Sequence, residues 1–188
     1  DYDGAVMITA SHLPFNRNGL KFFTKDGGLE SKDIKVLLKR AAELAESGFA
    51  GAEQKEVETL DLLSHYSANL RQIICRELEA KEEEKPLAGM HFVVDAGNGA
   101  GGFFATQVLE PLGADISGSV YLDPDGTFPN HQPNPENKDA MEAICRAVIE
   151  NKADLGLIFD TDVDRYRDIL ITILKNHKFS IRSVSSPI

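Results

Sequence analysis

Leu157-Ile158-Phe159-Asp160-Thr161-Asp162-Val163-Asp164-Arg165 places three carboxylates two residues apart directly after an apolar run. In an extended turn alternate side chains point the same way, so Asp160, Asp162 and Asp164 crowd together and repel one another. A hard divalent cation with oxygen ligands, Mg2+ first among them, offsets that repulsion. The competing reading is a solvated acidic turn, and this window alone does not separate the two. An EF-hand loop is disfavoured, because its later Gly and Glu are absent here.

Ser11 and His12 stand where the apolar stretch Val6-Met7-Ile8 gives way to polar residues. A serine there can be a nucleophile, although turn and cap serines are commoner. His12 alone is equally ambiguous. Lys21 lies beyond a turn at Asn18-Gly19 and can fold back toward the serine as a cationic acid or base, or simply be solvated. A fourth candidate, Gly97-Asn98-Gly99-Ala100-Gly101-Gly102, fits G-x-G-x-x-G between a strand and a helix, with Asp123 about 20 residues on. It reads either as an NAD-type dinucleotide site or as a tight turn that lets a helix pack closely on a strand.

The elements that must position these residues follow from periodicity. Val6 to Thr9 and Leu20 to Phe23 read as short strands. From a Ser31 N-cap, Ile34, Leu37, Leu38, Ala41, Leu44 and Ala45 recur at helical spacing up to Gly48 and predict a core-facing helix. Residues 49–60 read as loop, and a second helix starts near Asp61 with Leu62, Leu63, Tyr66, Leu70, Ile73 and Ile74 on one face. The charged run from Lys81 to Pro86 marks a solvated linker. Beyond it come a strand (91–95), a helix (103–112), a strand (119–122), a Pro-rich loop, a helix (139–150) carrying Met141, Ile144, Cys145, Val148 and Ile149, and a strand (155–159). This alternation predicts an α/β fold of parallel or mixed sheets flanked by helices. It puts Asp160 at the carboxyl edge of a sheet, where such folds gather their sites. The expected division is residues 1–85, 86–165 and a divergent tail 166–188, in which 169–174 can form a strand and 180–188 frays.

Thirty acidic against twenty basic residues give a formal charge of −10, which repels nucleic acid and anionic membranes in the absence of a basic cluster. No window nears the roughly 18 consecutive apolar residues of a membrane span. The two cysteines, Cys75 and Cys145, are far apart and outside any CxxC pattern, which favours a reducing compartment over a disulfide framework. Without an initiator Met before Asp1, the sequence is expected to begin inside a longer protein.

Taken in order, Thr9-Ala10-Ser11-His12-Leu13-Pro14, Asn18-Gly19-Leu20-Lys21, Asp125-Gly126-Thr127-Phe128-Pro129-Asn130-His131-Gln132-Pro133-Asn134-Pro135 and Asp160-Thr161-Asp162-Val163-Asp164-Arg165 resemble the α-D-phosphohexomutases, the phosphoglucomutase/phosphomannomutase family. The likeness runs from about residue 4 to 165. Val93 to Gly102 also looks like the opening strand and turn of that family's second domain, which moves the glycine-rich turn from cofactor site toward fold element. Leu13 departs from the Asn common after the Ser-His pair, and Thr161 and Val163 stand where small residues are frequent.

The resemblance implies phosphoglucomutase-like domains, truncated to the later part of the first, the second and the metal loop. It also implies an intramolecular phosphoryl transfer on a hexose phosphate of the glucose 1-phosphate/glucose 6-phosphate type. Ser11 is then the phosphoserine, and Asp160, Asp162 and Asp164 hold Mg2+ together with a phosphoryl oxygen on Ser11. His12, Lys21 and Arg165 stabilise charge, Lys21 also assisting proton transfer, and a hexose 1,6-bisphosphate is the activating phosphoryl donor. Because the family uses four domains, this chain is expected to be inactive or impaired alone, in the cytoplasm or a plastid stroma. The alternatives are a pseudoenzyme or interaction module that binds Mg2+ or a phosphosugar, with self-association through unfinished domain edges, and the dinucleotide binder built on Gly97 to Gly102.

Overall fold

The computed structural model of the protein describes residues 2–11, 13–49, 51, 56–170 and 180–182. By their internal contacts the residues form two compact units, one of Asp1–Ala10 and Asn18–Leu60, the other of Ser11–Arg17 and Asp61–Ile188.

In the first unit, strands β1 (Gly4–Ile8) and β2 (Leu20–Thr24) pair antiparallel from Gly4 opposite Thr24 to Ile8 opposite Leu20, and a short β3 (Gly27–Gly28) adds to β2. Helix α1 (Ser31–Ser47) begins one residue earlier in its cap than the sequence suggests. Glu30, not Ser31, is the N-cap, and its N–H donates to the Asp33 carboxylate at 3.2 Å in a capping box. Gly48 ends the helix with φ 76°, its N–H reaching Leu44 O. Ile34, Leu37 and Leu44 of the expected apolar face are half-buried, but Leu38 is exposed and no residue of α1 is fully buried.

The second unit is built on one sheet, β4 (Phe92–Asp95), β5 (Leu155–Phe159), β6 (Tyr166–Leu170) and β7 (Ser180–Arg182), in that spatial order. β4 and β5 are parallel, whereas β5–β6 and β6–β7 are antiparallel, so the sheet is mixed. Side chains alternate between its faces. Phe92, Val94 and Phe159 pack with Leu109, Leu112 and Cys75 on one side, and Val93, Ile158 and Ile169 with Ala140, Ile144 and Val148 of α3 (Lys138–Asn151) on the other. Asn137 caps α3 by accepting from the N–H groups of Asp139 and Ala140. Among the described residues no helix is long and apolar enough to cross a membrane.

Five expectations change. Ser180–Arg182, part of the stretch expected to fray, pairs with β6, residues 183–188 lying outside the described residues, and the expected strand at 169–174 starts earlier, at Tyr166, with 171–174 also outside them. The helix over 103–112 is a π-helical turn, Phe104–Leu109, in which Glu110 N–H reaches back to Ala105 O, followed by a 3-10 turn, Glu110–Leu112. Pro111 has no N–H with which to continue an α-helix there. The strand at 119–122 reduces to one bridge, with Val120 N–H donating to Val94 O at 2.8 Å. Helix α2 (Leu62–Glu77), placed by sequence ahead of a boundary near 85, packs with the sheet that follows. Ser67 Oγ lies 3.0 Å from Gln107 Oε1, and Arg71 donates to Gln107 O at 2.7 Å and to Glu82 at 2.8 Å.

One polar pair inside this unit escaped sequence reading. Asp95, at the end of β4, is fully buried, and both its oxygens lie within 3.0 Å of His131 Nε2 while Oδ1 also accepts from Gly97 N–H. His131 Nδ1 faces Gln132 O at 3.0 Å, so hydrogen bonds at both ring nitrogens call for an imidazolium against the Asp95 carboxyl group. Burial opposes that charge, but the bond and attraction to Asp95, with a smaller contribution from Asp139, raise the His131 pKa above its ordinary value. This contact ties the Pro-rich loop to the carboxyl edge of the sheet. Removing one partner of such a pair costs about 3 kcal/mol or more. His131→Ala is therefore expected to lower unfolding stability by about that amount below pH ~6.5, the ordinary histidine value. The sign is fixed: a raised folded pKa stabilises at low pH and its benefit fades as pH climbs through it. Denaturant unfolding of both proteins from pH 5 to 9 should show the two curves converging toward the alkaline end, and a constant gap would contradict the charged pair.

Candidate active site

Strand β5, with Gly156, Ile158 and Phe159 buried and Leu155 and Leu157 half-buried, delivers Asp160, itself fully buried, to the carboxyl edge of the sheet. From there the chain turns sharply. Asp160 N–H donates to Arg165 O at 3.1 Å, closing a loop around Thr161 to Asp164 before β6 begins. Val163 sits in this loop at φ 66°, a conformation that a β-branched side chain rarely adopts and that active-site loops often hold. Within the loop Asp160, Asp162 and Asp164 each offer one oxygen, and these three oxygens lie within 4.8 Å of one another.

Arg165 neutralises part of this charge. Its Nη2 and Nε donate to Asp160 Oδ2 at 2.8 and 3.0 Å, its backbone N–H to Asp160 Oδ1 at 3.1 Å, and Nε approaches Asp164 Oδ1 at 3.4 Å. Burial, above all, pushes the Asp160 carboxyl up to about 6, the Arg165 backbone bond pulling it down and the neighbouring Asp164 and Asp162 adding to the rise. The same guanidinium reaches further, because Arg165 Nη2 also donates to Ser11 Oγ at 3.1 Å. Ser11 is half-buried and adopts φ 54°, an unusual backbone for a residue other than glycine.

Three carboxylates and one guanidinium leave two negative charges in the loop, the charge a divalent cation carries. All donors are oxygens, as a hard cation requires, and they already lie within 4.8 Å of one another. The residues therefore fit the metal that the sequence expects.

Of the sequence-derived candidates, Ser11, Asp160, Asp164 and Arg165 are joined by this chain of contacts, and Asp162 converges on the same loop. Lys21 lies in the first unit, on β2 opposite Met7. His12 lies outside the described residues. The glycine-rich turn does not present a phosphate cradle. The N–H groups of Gly97, Asn98, Gly99 and Ala100 donate in turn to Asp95 Oδ1, Tyr121 O, Ala96 O and Thr161 O, so the row of donors a pyrophosphate needs is already engaged. Asp95 and His131 are what sequence reading missed. The available signal was an acidic residue closing the apolar run Phe92-Val93-Val94, which demands a buried partner.

Comparison with known proteins gives a consistent result. Residues 64–167 match the family described as phosphoglucomutase/phosphomannomutase, alpha/beta/alpha domain II, and residues 1–48 match its domain I. The chain is 35% identical over 160 residues to a phosphomannomutase/phosphoglucomutase of Pseudomonas putida, covering 85% of this chain and 31% of that protein. It is 34% identical over 161 residues to a phosphoglucomutase of Neisseria meningitidis, covering 85% and 32%. A crystal structure of a phosphoglucomutase/phosphomannomutase family protein from Burkholderia thailandensis superposes with a TM-score of 0.69 at 25% identity, over 94% of this chain and 34% of that one. The chain thus spans about a third of the length of the curated relatives it matches.

Proposed function

Because the chain belongs to the phosphoglucomutase/phosphomannomutase family, we propose that it carries the phosphoryl-carrier half of a hexose-phosphate mutase. Ser11 is the carrier, and Asp160, Asp162 and Asp164 are the Mg2+ ligands. The observation that carries this reading is the Arg165 guanidinium, which donates to Ser11 Oγ and to Asp160 Oδ2 at once and so ties the serine to the acidic loop.

In this proposal Ser11 Oγ attacks the phosphorus of a hexose bisphosphate. A new Oγ–P bond forms, the bond from phosphorus to the sugar oxygen breaks, and the serine proton ends on that oxygen. In the turnover direction the phosphoserine gives its phosphoryl group to the free hydroxyl of a hexose monophosphate: the Oγ–P bond breaks, the hydroxyl's proton ends on Oγ, and the resulting bisphosphate reorients so that its other phosphoryl group returns to Ser11. Such transfers depend on positioning and on charge stabilisation far more than on covalent chemistry by the protein. Arg165 orients the hydroxyl before transfer and faces the phosphoryl oxygens after it. When bound, Mg2+ supplies further neutralisation of the charge on the transferring group. The parts assigned to Lys21, in proton transfer, and to His12, beside the serine, rest on the family resemblance.

The test is a phosphate-mapping experiment. The protein is incubated with glucose 1,6-bisphosphate and Mg2+, digested, and its peptides are weighed. The expected result is one phosphate, on the peptide that contains Ser11. No uptake, or uptake elsewhere, would overturn the assignment.

A further inference from the structure

The glycine-rich turn is a sequence motif for which the phosphoryl-carrier reading has no use. Its contacts divide into two sets. On one side Asn98 fastens the turn to the segment 121–130: Asn98 N–H donates to Tyr121 O and Asn98 Nδ2 to Asp123 O, both at 2.9 Å, while Asn98 O accepts from Asp125 N–H and Asn98 Oδ1 from Asn130 Nδ2 at 2.7 Å. On the other side the turn meets the acidic loop. Ala100 N–H donates to Thr161 O at 2.9 Å, and Thr161 is the residue between the proposed ligands Asp160 and Asp162.

Gly99 makes that approach possible. A Cβ on residue 99 would lie 2.8 Å from Thr161 O and 3.0 Å from Thr161 Cα. Both are backbone atoms, so no side-chain rotation relieves the clash, and the loop itself must shift. The Thr161 carbonyl belongs to the peptide unit that leads into Asp162. Holding that carbonyl fixes the plane of the unit, and with it the direction in which Asp162 leaves the loop relative to Asp160.

We propose that the turn Gly97–Gly102 is the positioning element of the acidic loop, with Gly99 and Ala100 setting Thr161 and thereby the spacing of the Asp160 and Asp162 oxygens. This rests on the reading of the triad as a metal site. It recasts the motif from a fold punctuation mark to a fixed outer support, anchored through Asn98, that orients ligands it does not itself provide. Outer supports of this kind typically change metal affinity about 10- to 100-fold when lost.

The experiment uses the full chain and two readouts. In the first, amide hydrogen exchange is followed in metal-free protein for wild type, Gly99→Ala and Gly126→Ala, the last being a glycine with nothing within 4 Å of an added Cβ. Gly99→Ala is expected to speed exchange at Ala100 and in the 160–164 segment, and Gly126→Ala to leave both unchanged. In the second, Mn2+ titration is expected to give a dissociation constant at least about tenfold weaker for Gly99→Ala. Val148→Ala, which loosens the core on the far side of the sheet from this turn, serves as the stability control and should bind Mn2+ as wild type does. If Gly99→Ala fails to fold, wild type alone decides: Mn2+ should slow exchange at Ala100, which supplies no ligand.

Wild-type exchange in the 160–164 segment of Gly99→Ala, or an Ala100 amide indifferent to Mn2+ that does bind, would overturn the proposal. Absence of Mn2+ binding by wild type would instead defeat the metal reading. The metal-free exchange result would then still decide whether the turn positions the loop.

Discussion

Ser11→Ala is expected to take up no phosphate from glucose 1,6-bisphosphate under conditions in which the wild-type chain is phosphorylated, a complete loss in intact mass. The hydroxyl is the only atom of that side chain able to form the bond, and alanine has nothing to replace it. Fold and chemistry can be separated at this residue because its backbone is itself unusual. With φ at 54°, Ser11 lies in the left-handed region, which disfavours any Cβ by roughly 1 kcal/mol. Alanine keeps that strain and Ser11→Gly relieves it. Thermal unfolding should therefore place the glycine variant above the alanine variant, while both remain free of phosphate. A phosphorylated alanine variant would move the carrier to another residue.

The second large effect concerns Asp160. Asp160→Asn preserves shape but removes the buried charge that Arg165 contacts through both Nε and Nη2. Two consequences follow from one substitution: the proposed metal site loses its most buried ligand, and the guanidinium loses the partner that holds it next to Ser11 Oγ. Mn2+ affinity is expected to fall at least about 100-fold, because a charged first ligand is worth more than the outer supports that weaken binding by 10- to 100-fold. Phosphate uptake should fall by about a thousandfold, the scale on which lost electrostatic stabilisation acts in such sites. Asp164→Asn, at an exposed carboxylate whose contact with Arg165 is 3.4 Å, should have a smaller effect on both. Calorimetric Mn2+ titration alongside the uptake rate checks the ordering, and equal losses at the two positions would contradict it.

How far the sequence reaches can be judged residue by residue. Gly48 and Asp61 sit at the ends of their helices as read, because a left-handed C-cap and an aspartate accepting from Ser64 N–H are local arrangements that local sequence specifies. The apolar strands β4 and β5 and the face of α3 were legible for the same reason, their spacing being set by burial. The fold class followed from their alternation. What local pattern cannot encode is pairing across distance. Nothing near Tyr166 announces that β6 runs antiparallel to β5, and nothing near Asp95 announces His131 some 36 positions away. The π-helical turn before Pro111 required knowing which carbonyls the packed chain leaves in reach. At the site, residue types at Ser11 and in the acidic loop were readable, but the contact that joins them spans 154 positions and is made by Arg165. The G-x-G-x-x-G spacing illustrates the converse. It satisfied a known pattern, yet its N–H groups turn inward to Asp95, Tyr121, Ala96 and Thr161.

The central claim is that a phosphoryl group on Ser11 and a metal on Asp160, Asp162 and Asp164 occupy one site. The most direct measurement is the phosphorus NMR line of the phosphorylated chain, followed as Mn2+ is added. A paramagnetic ion in contact with the phosphoryl oxygens should broaden the phosphoserine line beyond detection at stoichiometric Mn2+, and Asp162→Asn, phosphorylated chemically if it cannot accept phosphate from the bisphosphate, should keep a sharp line. A wild-type line that stays sharp while Mn2+ is bound would place serine and metal apart and contradict the account.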